Sequence, residues 1–176
     1  MYRKLTAKEI LIYNRQRQSP LKDHFILWLH NIRSLHNVGA AFRSADAFGI
    51  NELRLSGYTP APPRAEISKT ALGAEKDVKW MQIDTSEVED EISLLKTRAF
   101  TILGLEQTKE SIFINDYNPA DQKICLILGN EVTGIDESLF PYIDEMIEIP
   151  QFGTKHSLNV SVAAGIALYA FFEKLQ

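Results

Sequence analysis

The sequence has little cysteine and no apolar run of membrane-spanning length. Cys125 is the only cysteine among 176 residues, which excludes a disulfide or a cysteine-based zinc site within one chain. The longest strongly apolar segment, 160–172, is shorter than the roughly 20 residues of a transmembrane helix. The first residues also lack the apolar core of a signal peptide. We therefore expect a cytoplasmic protein with no membrane partner, in which Cys125 is a small buried hydrophobe.

Several common catalytic and nucleotide-binding motifs are absent as well. The chain contains no GxGxxG, no GxxxxGK[ST] and no GxSxG, so the motifs of dinucleotide-binding folds, P-loop NTPases and α/β-hydrolases are missing. His24, His30 and His36 recur every six residues, a spacing that fits neither a metal-binding pair on a helix nor a strand face. We expect no metal site.

The charge of the chain is unevenly distributed. The composition, 45% hydrophobic and 24% charged, is that of an ordinary globular domain with a sizeable core. Residues 1–22 contain six Lys or Arg and one Glu, a net charge of +5 within a total of −4, so the remainder carries −9. We therefore predict a basic N-terminal helical arm, 1–22, and a single domain, 23–176. A phosphate backbone would suit such an arm, and a solvated amphipathic helix explains the same pattern.

Strands and helices alternate along the chain. A capping box at Thr6 and Glu9 predicts a first helix over 7–17. Apolar runs predict strands at 25–29, 52–58, 78–83, 100–105, 124–128 and 145–149, and helical spacing predicts helices at 38–48, 67–72, 88–97 and from 160 onward. Because several strands are apolar throughout, we predict an α/β fold with a mainly parallel sheet and helices on both faces.

Three polar segments each begin where a predicted strand ends. Their sequences are NIRSLHNVGAAFR at 31–43, LGNEVTGID at 128–136 and IPQFGTKHSLNVSVAAGI at 149–166. Since ligands of parallel sheets bind beyond the carboxyl ends of the strands, we expect the three loops to converge on one pocket.

Each segment also has an ordinary structural interpretation. Arg43 follows apolar residues on a predicted helix, so it should face an anionic partner, a cleft or an intramolecular ion pair. Glu131 offers a carboxylate between Gly129 and Gly134, although Gly-Asn is also a common turn. Asn159 stands at a helix start that suits a polar ligand, and a capped core helix has the same pattern.

In this order and at these spacings the three segments resemble the signature motifs of the SpoU/TrmH family of SPOUT RNA 2'-O-ribose methyltransferases. The resemblance extends over about residues 25–172. It implies a SPOUT fold with a C-terminal deep trefoil knot, a homodimer, S-adenosylmethionine as methyl donor, and a ribose 2'-hydroxyl of tRNA or rRNA as acceptor. A face of small residues on the last helix would allow close helix packing in that dimer: Ala163, Ala164, Ala167 and Ala170.

The resemblance also implies roles for individual residues. The catalytic set would be Asn37, Arg43, Glu131, Ser157 and Asn159. The cofactor would rest mainly on the backbone near Leu105, Gly129, Ile149, Ser157 and Leu158. RNA would contact Arg33 and Arg43, with Arg15 and Arg17 of the arm.

Arg43 is the residue that the resemblance ties most closely to catalysis. A ribose hydroxyl is a weak nucleophile, so the site must align it with the methyl group and accommodate its proton. Arg43 is sometimes assigned as the base. Because a guanidinium stays protonated in proteins, a clamp on phosphate and on the developing alkoxide suits Arg43 better.

Many members of the family carry an additional RNA-binding domain or a long basic tail. Here the basic surplus lies in residues 1–22, which predicts that this arm contacts RNA. The alternative function is a non-catalytic RNA-binding or assembly protein that keeps the knotted fold.

Overall fold

The computed structural model describes residues 2–50, 52–120 and 122–176, and Met1, the first residue of the predicted arm, lies outside them. Seven parallel strands form one sheet. They are β1 (Phe25–His30), β2 (Glu52–Ser56), β3 (Lys79–Ile83), β4 (Phe100–Leu105), β5 (Ile112–Phe113), β6 (Lys123–Leu128) and β7 (Glu145–Glu148). Their order across the sheet is β3-β2-β1-β6-β4-β7-β5.

Six α-helices and two short 3-10 helices accompany the sheet in the described residues. The α-helices are α1 (Ala7–Arg15), α2 (Leu35–Ala47), α3 (Ala65–Ala71), α4 (Ala74–Asp77), α5 (Val88–Thr97) and α6 (Val160–Lys174). The 3-10 helices span Thr85–Glu87 and Glu137–Tyr142.

The predicted elements are confirmed, with shifted ends. Helix α5 and strand β4 have the predicted bounds. Helix α2 begins three residues earlier than predicted, because the Ser34 side chain accepts a hydrogen bond from Asn37 N and caps it. The prediction missed β5, which has only two residues and is held by pairing of Ile112 with Ile147 of β7.

The sheet is covered on both faces, as predicted. Alternate side chains of β1 point to opposite layers, with Leu27 in the core shared with α2, α3 and α6, and Trp28 in the core shared with α5. Cys125 of β6 lies in the second core and is fully buried, which raises the pKa of its thiol. It is the small hydrophobe that the sequence predicts.

The trefoil knot stays a prediction.

The small-residue face of the last helix differs in part from the expectation. Ala164 and Ala167 are fully buried in the chain's own core, so they are not on the surface that another copy would meet, whereas Ala163 and Ala170 are partly exposed. The exposed face of α6 carries larger apolar residues, Val162, Ile166 and Tyr169. The error arose because the sequence does not show which side of an apolar helix faces its own sheet.

Among the described residues, no helix has both the length and the apolarity to span a membrane.

Helix α1 lies outside the core. None of its residues is buried, and its apolar residues from Ile10 to Tyr13 are about half exposed. The predicted capping box is present, with Thr6 and Glu9 bonded reciprocally. Arg3 also pairs with Glu9 at 2.8 Å, and with the bonds from Thr6 it lowers the pKa of Glu9 to about 2. By contrast, Leu21 near the end of the predicted arm is fully buried in the core.

Close packing between α2 and α3 predicts the effect of one substitution. A Cβ on Gly39 would lie 2.0 Å from Thr70 Oγ1 and 2.4 Å from the Ile67 carbonyl oxygen, so the two helices would have to separate. We expect Gly39→Ala to lower the free energy of unfolding by roughly 1–3 kcal/mol, measured by urea denaturation. Gly165→Ala in α6 is the matched control, since only Ser44 Oγ lies near, at 3.6 Å. Equal stability of both variants and the wild type would contradict the expectation.

Candidate active site

The loops after β4, β6 and β7 enclose a cavity of about 300 Å³ at the carboxyl ends of the strands. Its wall is completed by residues just before and within the first turn of α6. All five residues that the sequence assigns to the cofactor line it: Leu105, Gly129, Ile149, Ser157 and Leu158. Of the three polar loops that the sequence predicts to converge, those after β6 and β7 line this cavity, whereas the described residues 31–43 do not.

Two glycines give the loop after β6 its shape. A Cβ on Gly129 would lie 2.3 Å from backbone atoms of Gly134 and Ile135, so no other residue fits there without moving the loop. Gly134 has a positive φ of 73°, which favours glycine. Between them the chain folds back on itself, with Asn130 N donating to Gly134 O at 2.9 Å and Gly134 N to Asn130 O at 3.0 Å. The loop is thus a compact wall of the cavity.

The Glu131 carboxylate joins this loop to the start of α2. It accepts hydrogen bonds from Arg33 N at 3.0 Å, from Ser34 N at 3.1 Å and from Asn37 Nδ2 at 2.9 Å. A negative charge at a helix N-terminus is favourable, because the first N–H groups of a helix lack internal partners. Burial raises the pKa of Glu131, but these hydrogen bonds lower it by more, so its pKa lies below the usual 4.5.

A further hydrogen bond extends this connection to α6. Asn37 Oδ1 accepts from Asn159 Nδ2 at 3.1 Å, and Asn159 Oδ1 accepts from Ser161 N at 2.9 Å. Asn159 is therefore both the cap of α6 and a partner of Asn37. Three predicted catalytic residues, Glu131, Asn37 and Asn159, form one continuous chain of hydrogen bonds.

The other two predicted catalytic residues lie apart from that chain. Ser157 is exposed in the loop before α6 and lines the cavity. Arg43 does not line it; it lies on the exposed face of α2, six residues and about 9 Å along the helix from Asn37. The described residues offer Arg43 no ion pair. Of the alternatives left open for Arg43, the intramolecular ion pair is therefore wrong, because the neighbouring apolar residues face the core and Arg43 faces outward.

Several residues to which the sequence analysis gave no role hold the loops together. Asn130 Nδ2 donates to Asn31 O at 2.9 Å and to the Tyr58 hydroxyl at 2.8 Å. Asn31 Nδ2 donates to Asp136 Oδ2 at 2.7 Å. The Glu106 carboxylate lines the cavity and accepts from Gln107 N and Ile135 N. Glu106 directly follows the apolar strand β4, and this position was the sequence signal that could have predicted its place in the cavity wall.

A serine, a histidine and an aspartate are aligned beneath these loops. Ser56 Oγ lies 2.7 Å from His30 Nδ1, and His30 Nε2 lies 3.0 Å from Asp136 Oδ2. Trp28 Nε1 donates to the same Ser56 oxygen at 2.7 Å. Ser56 is fully buried and cannot meet an external substrate. The alignment therefore anchors the loop at Asp136 and is not a nucleophilic triad.

The predicted RNA-binding arginines are exposed. Arg33 is fixed through its backbone to Glu131 while its side chain is exposed. Arg15 and Arg17, at the end of α1 and just beyond it, are also exposed and form no ion pair with the described residues. Within those residues no group of three His, Cys, Asp or Glu could hold a metal ion.

The parallel sheet and the cavity at its carboxyl edge define a SpoU-type methyltransferase fold. An AdoMet-bound rRNA methyltransferase from Sinorhizobium meliloti superposes with a TM-score of 0.80 at 25% identity, over 97% of this chain and 71% of that one. The model of the SpoU rRNA Methylase family matches residues 24–169. The chain belongs to that family.

Curated relatives support this membership. An uncharacterized tRNA/rRNA methyltransferase from Borreliella burgdorferi is 34% identical over 88% of this chain. A tRNA (guanosine(18)-2'-O)-methyltransferase from Aquifex aeolicus is 32% identical over 82% of it. The chain spans 66% of the length of each of these relatives, slightly less than two thirds.

The contacts of Glu131 predict a pH-dependent contribution to stability. A carboxyl whose pKa is lower in the folded chain than in the unfolded chain stabilises the protein at pH values above its pKa in the unfolded chain. This contribution is lost as the pH falls through its pKa in the folded chain. We expect Glu131→Gln to lower the free energy of unfolding by roughly 1 kcal/mol at neutral pH. The difference from the wild type should shrink as the pH falls below about 4.5.

Urea denaturation of both proteins at several pH values measures this difference. Glu110→Gln is the control, because Glu110 is exposed and makes no hydrogen bond with the described residues, and it should change stability by less than about 0.5 kcal/mol. A wild-type advantage that is the same at neutral and acid pH would show that the carboxylate charge does not hold α2.

Proposed function

We propose that this protein transfers a methyl group from S-adenosylmethionine to a ribose 2'-hydroxyl of tRNA or rRNA. One observation carries the proposal: the cavity formed by the five predicted cofactor residues opens beside the hydrogen-bonded chain of Glu131, Asn37 and Asn159. The names of the relatives support it, since they include methyltransferases of tRNA and of rRNA. A cytoplasmic location follows from these substrates.

The cavity suits S-adenosylmethionine in size and chemistry. About 300 Å³ is at the lower end for small-molecule sites. Leu105, Ile149 and Leu158 supply apolar wall, and the surrounding loops offer backbone groups to an adenosine. The carboxylate of Glu106 is also in the wall, where it favours a ligand with a positive centre. The sulfonium of the cofactor supplies an electrophilic methyl group.

The residues of this chain would orient the acceptor. Asn37 and Asn159 are held by their mutual hydrogen bond, and Ser157 lies at the cavity, so these polar groups can position a ribose. Arg43, permanently charged and exposed, would bind an RNA phosphate and stabilise the negative charge that develops on the 2'-oxygen as the hydroxyl proton is lost to water.

The position of Arg43 favours a homodimer with shared sites. Arg43 lies outside the cavity of its own chain, and α6, which packs beside α2, exposes Val162, Ile166 and Tyr169. An apolar helix face of this kind is typical of an interface between copies. We infer that two copies associate through α6 and that each Arg43 serves the cavity of its partner.

Arg43→Ala should abolish most methyl transfer and leave S-adenosylmethionine affinity nearly unchanged, since Arg43 is not in the cavity wall. Transfer is measured with radiolabelled cofactor on unfractionated tRNA and rRNA, and binding by calorimetry. Arg98→Ala, at another exposed arginine, is the control. Equal rates for Arg43→Ala and wild type would remove Arg43 from the mechanism. Absence of cofactor binding by the wild type would favour the alternative, a non-catalytic RNA-binding or assembly protein.

Mixing two inactive variants tests which copy supplies Arg43. Gly129→Ala should disable the cavity, because its Cβ would displace the loop at Gly134. If Arg43 acts in trans, subunit exchange between Arg43→Ala and Gly129→Ala makes heterodimers with one complete site, restoring about a quarter of wild-type activity. If the mixture stays inactive while exchange is demonstrated, Arg43 acts within its own chain.

The basic arm gives a separate prediction for RNA binding. Removing residues 1–18 takes away Arg15 and Arg17 but leaves Leu21 in the core, so the domain should still fold. We expect weaker RNA binding and a flatter dependence of affinity on salt, because fewer phosphates are neutralised. The double substitution Arg15→Ala/Arg17→Ala in the full chain should reproduce part of the effect. Unchanged affinity and salt slope in the truncated protein would exclude the arm from the RNA interface.

A further inference from the structure

A shallow groove adjoins the cavity on the side of β1 and β2. It is lined by Arg33, Tyr58, Asn130, Val132 and Thr133. Asn130, Val132 and Thr133 also line the cavity, so the two spaces share one wall. A nucleotide whose ribose reached the mouth of the cavity would therefore have the groove beside it.

Tyr58 is the aromatic residue of this groove, and it is held at both ends. Its backbone N donates to Asn31 Oδ1 at 3.2 Å, and its hydroxyl accepts from Asn130 Nδ2 at 2.8 Å. The residue is nevertheless 59% exposed. Tyr58 therefore presents a fixed aromatic ring to solvent next to the cavity.

Burial in the core does not explain this arrangement. Asn130 Nδ2 already donates to Asn31 O, and Asn130 Oδ1 accepts from Val132 N and Thr133 N, so the loop has anchors besides the Tyr58 hydroxyl. The exposed ring adds little to the core, because more than half of its residue surface stays in water. A ring held in place beside a site for RNA suits stacking, since every base has a π face.

The neighbouring charge fits the same ligand. Arg33 lines the groove, its backbone N is fixed by Glu131, and its exposed side chain forms no ion pair with the described residues. A fixed aromatic ring with an adjacent arginine offers a single RNA strand both a stacking surface and a phosphate contact.

We propose that Tyr58 is the platform on which an unstacked RNA base at the methylation site stacks, with Arg33 binding an adjacent phosphate. The proposal rests on the proposed function, because it places this base next to the ribose that receives the methyl group. It assigns Tyr58 to substrate binding and not to the chemical step.

Three variants separate stacking from other roles of Tyr58. Tyr58→Phe keeps the ring and removes the hydroxyl bond, whereas Tyr58→Leu keeps an apolar side chain and removes the ring. Phe113→Leu is the matched control, because Phe113 is an exposed aromatic on β5 at the opposite edge of the sheet. Thermal unfolding of each variant verifies that the domain is intact.

The measured quantities are the dissociation constants for fluorescently labelled total tRNA and for labelled rRNA, with cofactor affinity by calorimetry. We expect Tyr58→Leu to weaken binding of the substrate RNA on the order of tenfold. Tyr58→Phe and Phe113→Leu should stay within about twofold, and none should change cofactor affinity. Arg33→Ala should weaken binding and lower the salt slope by about one unit.

Several outcomes would overturn the proposal. If Tyr58→Leu binds RNA as tightly as the wild type, Tyr58 is not a stacking platform. Equal losses for Tyr58→Phe and Tyr58→Leu would show that the hydroxyl positions the loop and the ring does not stack. If Phe152→Leu, at the exposed aromatic in the loop after β7, weakens binding while Tyr58→Leu does not, the base stacks on Phe152.

Failure of the platform and failure of the proposed function give different results. If the wild type binds RNA without methylating it and Tyr58→Leu still weakens binding, methyl transfer is wrong, and Tyr58 stacks on an RNA base that is not at a methylation site. If the wild type methylates RNA and Tyr58→Leu binds equally well, only the platform is wrong. A wild-type protein that binds neither tRNA nor rRNA would overturn both.

Discussion

The candidate site depends on one carboxylate at the start of one helix. Glu131 comes from the loop after β6, yet its partners Arg33, Ser34 and Asn37 belong to the start of α2 and the residue before its cap. The carboxylate accepts hydrogen bonds from two backbone N–H groups just before the first helical residue, Leu35, and from the Asn37 side chain, so its negative charge lies at the helix N-terminus. Because Asn37 also accepts a hydrogen bond from Asn159, the bonds of Glu131 connect three segments that are distant in sequence: the loop after β6, the start of α2 and the start of α6.

Close backbone packing makes this arrangement possible. Gly129 lets the loop after β6 pass against Gly134, and Gly134 leaves room for the Glu106 carboxylate at the cavity wall. The same loop places Asn130 against Asn31 and Tyr58, so the cavity and the neighbouring groove have a common boundary. The cavity and the groove therefore share a few residues of the loop after β6 as a common wall. Arg43 lies on an outward face of α2 and is not part of this boundary.

Much of the fold could be predicted from local patterns. Apolar runs identified six of the seven strands in the described residues, since buried parallel strands are continuously hydrophobic. Strand β5 was missed because its two residues are too few to show a hydrophobic pattern. The start of α2 was placed too late, because the cap at Ser34 depends on a hydrogen bond that spacing alone does not reveal. Of the predicted site, the five cavity residues and the Glu131, Asn37 and Asn159 set come together, whereas Arg43 does not line the cavity.

Local patterns of residues reveal the alternation of strands and helices, the polar loops at three strand ends, and the family to which those loops belong. Residue order suffices for these features because each lies within a short stretch of chain. The outward position of Arg43, the burial of Ala164 and Ala167 and the proximity of Tyr58 to Arg33 are visible only in the folded chain. Packing between distant segments decides which helix face is exposed and which loops are neighbours, and no local pattern records that packing.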